Sequence, residues 1–149
     1  MVFFDLGMAV RRLRGVADHR HAVLLIEDHD DSRLSFQALM EANGLRVVAV
    51  RTGKEGLALL RATPWAWCVV VLDWWLPDMD GAEFVRRQGA HPTVAGIPIT
   101  VITGDATIAA KARALGVEHF FLKPVEPDAI IGLLTNHCAG GAPRRAVVS

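Results

Sequence analysis

The chain has 149 residues, 52% of them hydrophobic, with equal numbers of acidic and basic side chains and a pI near 7.0. This length suits one domain that buries roughly 70% of the surface of its unfolded chain. The balanced charge argues against a nucleic-acid-binding body, which needs a surplus of Lys and Arg. No apolar stretch reaches the ~18 residues of a membrane span, and Asp5 falls where a signal peptide would be apolar. We expect a cytoplasmic protein with no membrane or direct nucleic-acid partner.

Residues 1–20 are predicted to be an N-terminal extension or linker, because apolar side chains there precede a basic cluster without a sustained pattern. Residues 21–138 are predicted to form the folded domain. Residues 139–149 contain Gly and Pro and no apolar periodicity, so we expect a disordered tail.

Strands and helices alternate along the predicted domain. Short β-branched runs without polar alternation are typical of strands buried on both faces, as in a parallel sheet covered by helices. The strands are predicted at about 22–26, 45–50, 68–72, 97–102 and 118–122, and the helices at about 31–43, 53–62, 81–89, 106–115 and 126–138. Five such repeats indicate an α/β fold, with a doubly wound parallel sheet and right-handed crossovers.

Local signals set the predicted helix ends. Asp30 or Asp31 is the expected N-cap of the first helix, and Asp80 that of the third. Gly44 and Gly116 are expected to end the first and fourth helices, because glycine readily adopts the positive φ of a helix terminator.

The two cysteines, Cys68 and Cys138, are too few to suggest a disulfide framework. They are predicted to be unpaired, which suits a reducing compartment. Trp65 and Trp67, which flank the third strand, are predicted to be packing residues. The six histidines lack metal-ligand spacing and are assigned no chemistry.

Polar residues stand where four of the predicted strands end. Glu27 and Asp28 follow the first strand, Asp73 the third, Thr103 the fourth and Lys123 the fifth. In open α/β sheets, ligands bind just beyond the carboxyl ends of the strands. The order therefore predicts one site assembled from four strand ends.

The three predicted neighbouring carboxylates would repel one another unless a cation lies among them. Mg²⁺ is the expected ion, because it prefers oxygen ligands and leaves coordination positions for water or phosphoryl oxygens. Thr103 offers a hydroxyl and Lys123 a positive charge, which suit the oxygens of a transferred phosphoryl group. Asp73 is left as the nucleophile, whose attack on phosphorus would give an aspartyl phosphate.

These residues, together with the Leu-Pro-Asp-Met-Asp-Gly run at 76–81, resemble a response-regulator receiver domain of the chemotaxis type. The resemblance covers about residues 21–138 and implies a flavodoxin-like three-layer αβα fold with strand order 2-1-3-4-5. It implies that the protein is a signalling switch that catalyses only its own phosphotransfer and dephosphorylation.

The resemblance also implies residue roles. Asp73 would be the phosphoacceptor, and Thr103 and Lys123 would contact the phosphoryl group. Mg²⁺ would be held by Glu27, Asp28, Asp73 and the backbone carbonyl of Trp75. Phe120 falls at the family's aromatic switch position, and the Lys123-Pro124 peptide bond would be cis.

The implied partner is a histidine kinase or a histidine phosphotransfer protein. The responding surface would comprise helix four, strand five and helix five. A homodimer through this surface is one option that the resemblance leaves open, although helix five has no Lys or Arg for the salt bridges of the transcription-factor branch. No output domain is predicted after residue 138, so a stand-alone receiver and a piece of a hybrid kinase or larger regulator are both open.

One alternative is an enzyme, an aspartate-nucleophile phosphohydrolase of the haloacid-dehalogenase type. Such enzymes need an acid two residues after the nucleophile, and that position holds Trp75. Another alternative is a receiver-like scaffold that is never phosphorylated, which the complete set of phosphorylation residues disfavours.

Overall fold

The computed structural model describes residues 21–138 together with Leu6, which packs against the core. The predictions for the extension at 1–20, Leu6 apart, and for the tail at 139–149 therefore lie outside the described residues. Among the helices of the described part, none combines the length and the apolar character needed to cross a bilayer.

Five parallel strands form one sheet in the order β2-β1-β3-β4-β5, which confirms the predicted fold class. The central strand β3 is almost entirely buried, as its β-branched composition predicts. The strands span β1 Ala22–Ile26, β2 Val47–Val50, β3 Trp67–Asp73, β4 Ile99–Thr103 and β5 His119–Leu122.

The helices cover both faces of the sheet, as connections between parallel strands require. They span α1 Asp30–Ala42, α2 Gly53–Ala62, α3 Gly81–Gly89, α4 Ala109–Ala114 and α5 Pro127–Cys138. Met40 of α1 and Ile130 and Leu134 of α5 pack on one face. Leu60 of α2 and Phe84 of α3 pack on the other, where α4 adds Ala112 to an adjoining cluster. The result is three layers, with the carboxyl ends of all strands at one edge.

Most predicted helix ends are confirmed. Asp80 caps α3 by accepting a hydrogen bond from Glu83 N at 2.9 Å. Gly44 and Gly116 adopt φ angles of 84° and 93° after α1 and α4. The N-cap of α1 is a correction, because His29 Nδ1 accepts from Ser32 N at 3.3 Å. Asp30 lies inside the helix and pairs instead with Arg33 at 2.7 Å.

The fourth helix is shorter than predicted. Residues 106–108 form a 3₁₀ turn, and the α-helical part comprises only Ala109–Ala114. Asp105 caps the turn through Thr107 N at 2.9 Å, which favours the tighter winding at this end.

The prediction of unpaired cysteines is wrong. Cys68 and Cys138 form a disulfide with a Cα–Cα distance of 5.3 Å. Helix α5 runs back across the sheet, so its last residue lies over the beginning of β3, where Cys68 is fully buried. The pairing spans 70 residues of sequence and could not be found from local spacing. The cysteines therefore give no support for a reducing compartment.

The tryptophans around β3 have different environments. Trp67 is buried as predicted, whereas Trp65 is 57% exposed, so its assignment as a packing residue is wrong. Trp74 is buried against α3, where a Cβ at Gly81 would overlap its ring. Trp74 and Gly81 thereby fix how the loop after β3 enters α3.

Candidate functional site

The sheet brings the predicted site residues to one edge. Ile26 of β1 pairs with Leu72 of β3, so Glu27 and Asp73 are the next residues on adjacent strands. Asp73 pairs in turn with Ile102 of β4, one residue before Thr103. Thr103 pairs with Leu122 of β5, one residue before Lys123. All four strand ends therefore contribute to one site at this edge of the sheet, as the sequence indicated.

Three carboxylates lie close together at this site. One oxygen from each of Glu27, Asp28 and Asp73 lies within 4.8 Å of the others. Both oxygens of the buried Glu27 already have partners: Oε1 accepts from Lys123 Nζ at 2.8 Å and Oε2 from His29 N at 3.1 Å. Asp28, among the described residues, has no hydrogen-bond donor on its carboxylate. Asp28 and Asp73 are thus the freer cation ligands.

Lys123 connects the two sides of the site. Its Nζ lies 3.5 Å from Asp73 Oδ2 and 2.8 Å from Glu27 Oε1. The backbone holds this residue in place, because Lys123 N donates to Thr103 O at 2.8 Å, and the Lys123-Pro124 bond is cis as predicted. A single ammonium group therefore faces both the buried acid and the predicted phosphoacceptor.

Thr103 is buried at the end of β4. Its Oγ1 accepts a hydrogen bond from Asp105 N at 3.2 Å, which leaves its hydroxyl proton available to donate. The local turn thus orients the hydroxyl at the edge of the site without consuming its donor.

Trp75 follows Asp73 by two residues and is 53% exposed. Its backbone N donates to Asp73 Oδ1 at 3.3 Å, and its indole Nε1 donates to Asp105 Oδ2 at 3.3 Å. The indole therefore joins the loop after β3 to the loop after β4. Asp105 was not predicted as a site residue, because its only local signal is its capping position before a helical turn.

Arg33 was also missed. Its guanidinium donates to the carbonyl oxygens of Glu27 and Asp28, at 3.1 and 3.4 Å, and to Asp30 Oδ1 at 2.7 Å. These bonds hold the backbone of the loop that carries two of the acids. No motif around Arg33 indicates this, because the contact depends on how the first turn of α1 is placed relative to the loop that precedes it.

Phe120 lies on β5 opposite Val101 and is half-buried against the cluster between α3 and α4. This half-buried position agrees with the packing role that an aromatic residue in a strand usually has. Its assignment as a switch residue stays a prediction.

The environment of Asp73 raises its pKa to about 7, mainly because burial penalises the charged form and secondarily because Glu27 is close and negative. Lys123 opposes this shift. Burial by itself would lower the pKa of Lys123, but the hydrogen bond to Glu27 and the charge of Asp73 outweigh burial and raise it. The site thus keeps the Lys123 ammonium group protonated, while the Asp73 carboxyl group ionises near neutral pH.

The raised pKa of Asp73 predicts a pH-dependent stability in EDTA. Native Asp73 retains its proton up to about pH 7, whereas the unfolded chain loses it near pH 4. Between these values the native state binds more protons, so the wild-type free energy of unfolding should fall with rising pH relative to Asp73→Asn. Urea denaturation of both proteins from pH 4 to 8 measures this, and a constant difference would contradict it.

The donor set fits a hard divalent cation. Three carboxylates converge within 4.8 Å, and the contacts of Asp73, at 3.3 and 3.5 Å, are longer than those of Glu27, at 2.8 and 3.1 Å. Mg²⁺ usually takes one or two protein carboxylates and completes its shell with carbonyl, water or phosphoryl oxygens. Asp28, Asp73 and the Trp75 carbonyl would coordinate the ion directly. Glu27, whose carboxylate accepts a hydrogen bond from Lys123, would contact the ion through a water molecule.

Residues 23–135 match the family model described as the response regulator receiver domain. Among curated proteins, the chain is 32% identical over 127 residues to the rice two-component response regulator ORR5 (subspecies japonica), covering 81% of this chain and 92% of that protein. It is also 27% identical over 133 residues to the peroxide stress-activated histidine kinase mak3 of Schizosaccharomyces pombe, covering 85% of this chain but 6% of the kinase.

Solved structures show the same fold. A response regulator from Chloroflexus aurantiacus superposes with a TM-score of 0.73 at 24% identity, covering 80% of this chain and 98% of that one. The chemotaxis response regulator CheY4 of Vibrio cholerae superposes with a TM-score of 0.69 at 23% identity, covering 79% and 98% respectively.

Proposed function

Because the chain belongs to the response regulator receiver family, we propose that it is a phosphorylation switch of a two-component or phosphorelay system, with Asp73 as the phosphoacceptor. The observation that carries this proposal is the geometry around Asp73. Its carboxylate lies 3.5 Å from the Lys123 ammonium and shares a 4.8 Å cluster with Asp28. One nucleophile, one basic group and one cation position thus meet at the end of β3.

The transfer is a displacement at phosphorus. An oxygen of ionised Asp73 forms the new O–P bond as the N–P bond of a phosphohistidine on the partner breaks. The bonding electrons stay with the histidine nitrogen, and the ring leaves as neutral imidazole because its other nitrogen carries a proton. Lys123 and the Thr103 hydroxyl would receive the phosphoryl oxygens, because both present donors at the same sheet edge. Mg²⁺, when bound, would neutralise charge on those oxygens.

The modification adds about −1.5 to −2 units of charge at Asp73. Contacts of Thr103 and Lys123 with the phosphoryl group exist only after transfer, so they can shift a two-state equilibrium by their own differential energy. The β4–α4 loop begins at Thr103, so α4, β5 and α5 form the surface that would respond. Switching through Phe120 and a cytoplasmic location stay predictions, and a homodimer on this surface stays an open option.

The family assignment favours a switch over a haloacid-dehalogenase-type enzyme. The position two residues after Asp73 holds Trp75, which cannot serve as a general acid, and Asp105 bonds to its indole at 3.3 Å. The scaffold alternative stays open to the following test.

Incubation of the purified protein with Mg²⁺ and acetyl phosphate tests the proposal. Intact-mass spectrometry should show one added phosphoryl group per chain, and EDTA should prevent it. Transfer from phosphorylated histidine kinases of the source organism would then identify the partner. No labelling by acetyl phosphate or by any of these kinases would leave only the scaffold function.

Trp75 should prolong the phosphorylated state. Its indole is held by a hydrogen bond to Asp105, and we expect this bulky ring, two residues after Asp73, to restrict the approach of water to the phosphorylated side chain. Exclusion of water slows hydrolysis of a reactive intermediate. We therefore expect Trp75→Asn to shorten the phosphoryl half-life severalfold, measured as loss of label after the phosphoryl donor is removed.

Trp65→Asn is the matched control for this variant. Trp65 is 57% exposed but precedes β3, at the opposite end of the strand from Asp73. Its replacement should leave the half-life unchanged. Equal half-lives for both variants and the wild type would show that the indole does not restrict water.

A further inference from the structure

The first backbone N–H groups of α2 donate hydrogen bonds to side chains from two different segments of the chain. A local capping box links Thr52 and Glu55: Thr52 Oγ1 accepts from Glu55 N at 3.1 Å, and Glu55 Oε1 accepts from Thr52 N at 3.3 Å. This box leaves the amides of Gly53 and Lys54 without a local side-chain acceptor. Asp78, from the loop after β3, supplies both acceptors, with Oδ1 at 3.0 Å from Gly53 N and Oδ2 at 2.9 Å from Lys54 N.

Apolar packing adds to these two bonds. Met79 is 9% exposed and covers Gly53, where a Cβ would overlap its side chain. Asp78 and Met79 thus dock the loop at 74–80 on the beginning of α2, about 25 residues away in sequence. The α2 helix is a rigid support, since Leu57, Leu59 and Leu60 anchor it in the core.

Backbone contacts within the docked loop join its beginning to its end. Leu76 N donates to Met79 O at 3.3 Å, and Trp75 and Asp80 form an isolated antiparallel bridge. Movement at Asp78 would therefore be transmitted to Trp75. The Trp75 amide donates to Asp73 Oδ1, and its carbonyl is the proposed backbone ligand of the cation.

We propose that Asp78 is a positioning residue, which holds the Trp75 backbone in place for Mg²⁺ by fixing the loop to the N-terminus of α2. The inference rests on the proposed function and goes beyond it, because Asp78 itself touches neither the cation position nor the phosphoacceptor. Residues that orient metal ligands from outside the coordination shell typically change metal affinity about 10- to 100-fold when they are replaced.

The competing explanation is that Asp78 only caps α2. The two explanations differ in what Thr52→Ala should do. That variant removes the local cap of the same helix but leaves the loop at 74–80 untouched. A capping role predicts similar behaviour for Thr52→Ala and Asp78→Ala, whereas a positioning role predicts weaker Mg²⁺ binding for Asp78→Ala alone.

The experiment uses the full chain as wild type, Asp78→Ala, Asp78→Asn and Thr52→Ala. Mg²⁺ is titrated and tryptophan fluorescence is followed, and urea denaturation in EDTA is measured in parallel. Asp78→Ala should raise the Kd for Mg²⁺ at least about tenfold. Asp78→Asn, which keeps one acceptor oxygen, should recover part of this loss, and Thr52→Ala should keep the wild-type Kd despite its lower stability.

Phosphorylation gives a second readout. The Mg²⁺ concentration for half-maximal labelling by acetyl phosphate should rise in Asp78→Ala, while the rate at saturating Mg²⁺ stays near the wild-type rate. Wild-type Mg²⁺ affinity in both Asp78 variants would overturn the inference. If Asp78→Ala does not fold, Asp78→Asn decides the question by the same measurements. Failure of the wild type to bind Mg²⁺ would instead contradict the proposed function, so the two failures are distinguishable.

Discussion

Asp73→Asn should abolish labelling by acetyl phosphate. The amide cannot act as the oxygen nucleophile, and the variant also removes one of the two freer ligands from the carboxylate cluster. Intact-mass spectrometry under conditions that fully label the wild type measures the effect. We expect no added phosphoryl group.

The control for this variant is Asp31→Asn. Asp31 is an exposed acid in the first turn of α1, close in sequence to Asp28. Its replacement removes the same charge without altering the site, so labelling should match the wild type. Labelling that persists in Asp73→Asn would move the phosphoacceptor to another residue, which peptide mapping after borohydride trapping would identify.

Replacement of Lys123 by methionine should destabilise the metal-free protein. Among the residues that the structure describes, Lys123 carries the only cationic group within 4 Å of both Glu27, which is 2% exposed, and Asp73. Its loss leaves a buried carboxylate without a counter-charge. Removing one partner of a buried pair costs about 3–5 kcal/mol, and the partial exposure of Lys123 reduces this here to about 2 kcal/mol. Urea denaturation at pH 8 in EDTA measures the change.

Two further variants test whether the unpaired Glu27 carboxylate causes the loss of stability. Glu27→Gln combined with Lys123→Met removes the stranded charge, so the double variant should recover much of the lost stability, as a double-mutant cycle would quantify. Lys111→Met, at an exposed position on α4, removes the same charge from the surface and should change stability by less than about 0.5 kcal/mol. An equal loss for Lys123→Met and the double variant would argue against the pairing with Glu27.

The same pair bears on phosphotransfer. Lys123→Met should also slow labelling on the order of a hundredfold, the usual effect of removing one donor to a developing charge. Saturating Mg²⁺ should restore the stability of Lys123→Met more fully than its labelling rate, each compared with the wild type at the same Mg²⁺ concentration, because a cation can replace the charge of the ammonium but not its contact with the phosphoryl oxygens. Equal recovery of both would indicate that Lys123 acts only by neutralising charge.

Some bounds of the helices and strands were predicted correctly from the sequence, and others were not. The bounds predicted for β1, α2 and α3 agree with Ala22–Ile26, Gly53–Ala62 and Gly81–Gly89, because apolar runs, caps and glycines within a few residues decide them. The first helix begins one residue early because His29 serves as its cap. The fourth begins as a 3₁₀ turn around Asp105, which short-range propensity could not distinguish from α-helix.

Sequence patterns were enough to predict that polar residues follow the buried strands and that parallel strands bring Asp73, Thr103 and Lys123 to one edge. These features are local or follow from strand direction. Three contacts became visible only in the folded chain: Lys123 reaches Glu27 across 96 residues, Asp78 docks on α2, and Cys68 meets Cys138. It also decided the raised pKa of Asp73. Each depends on burial and on distances between segments far apart in the chain, and no pattern of neighbouring residues encodes these quantities.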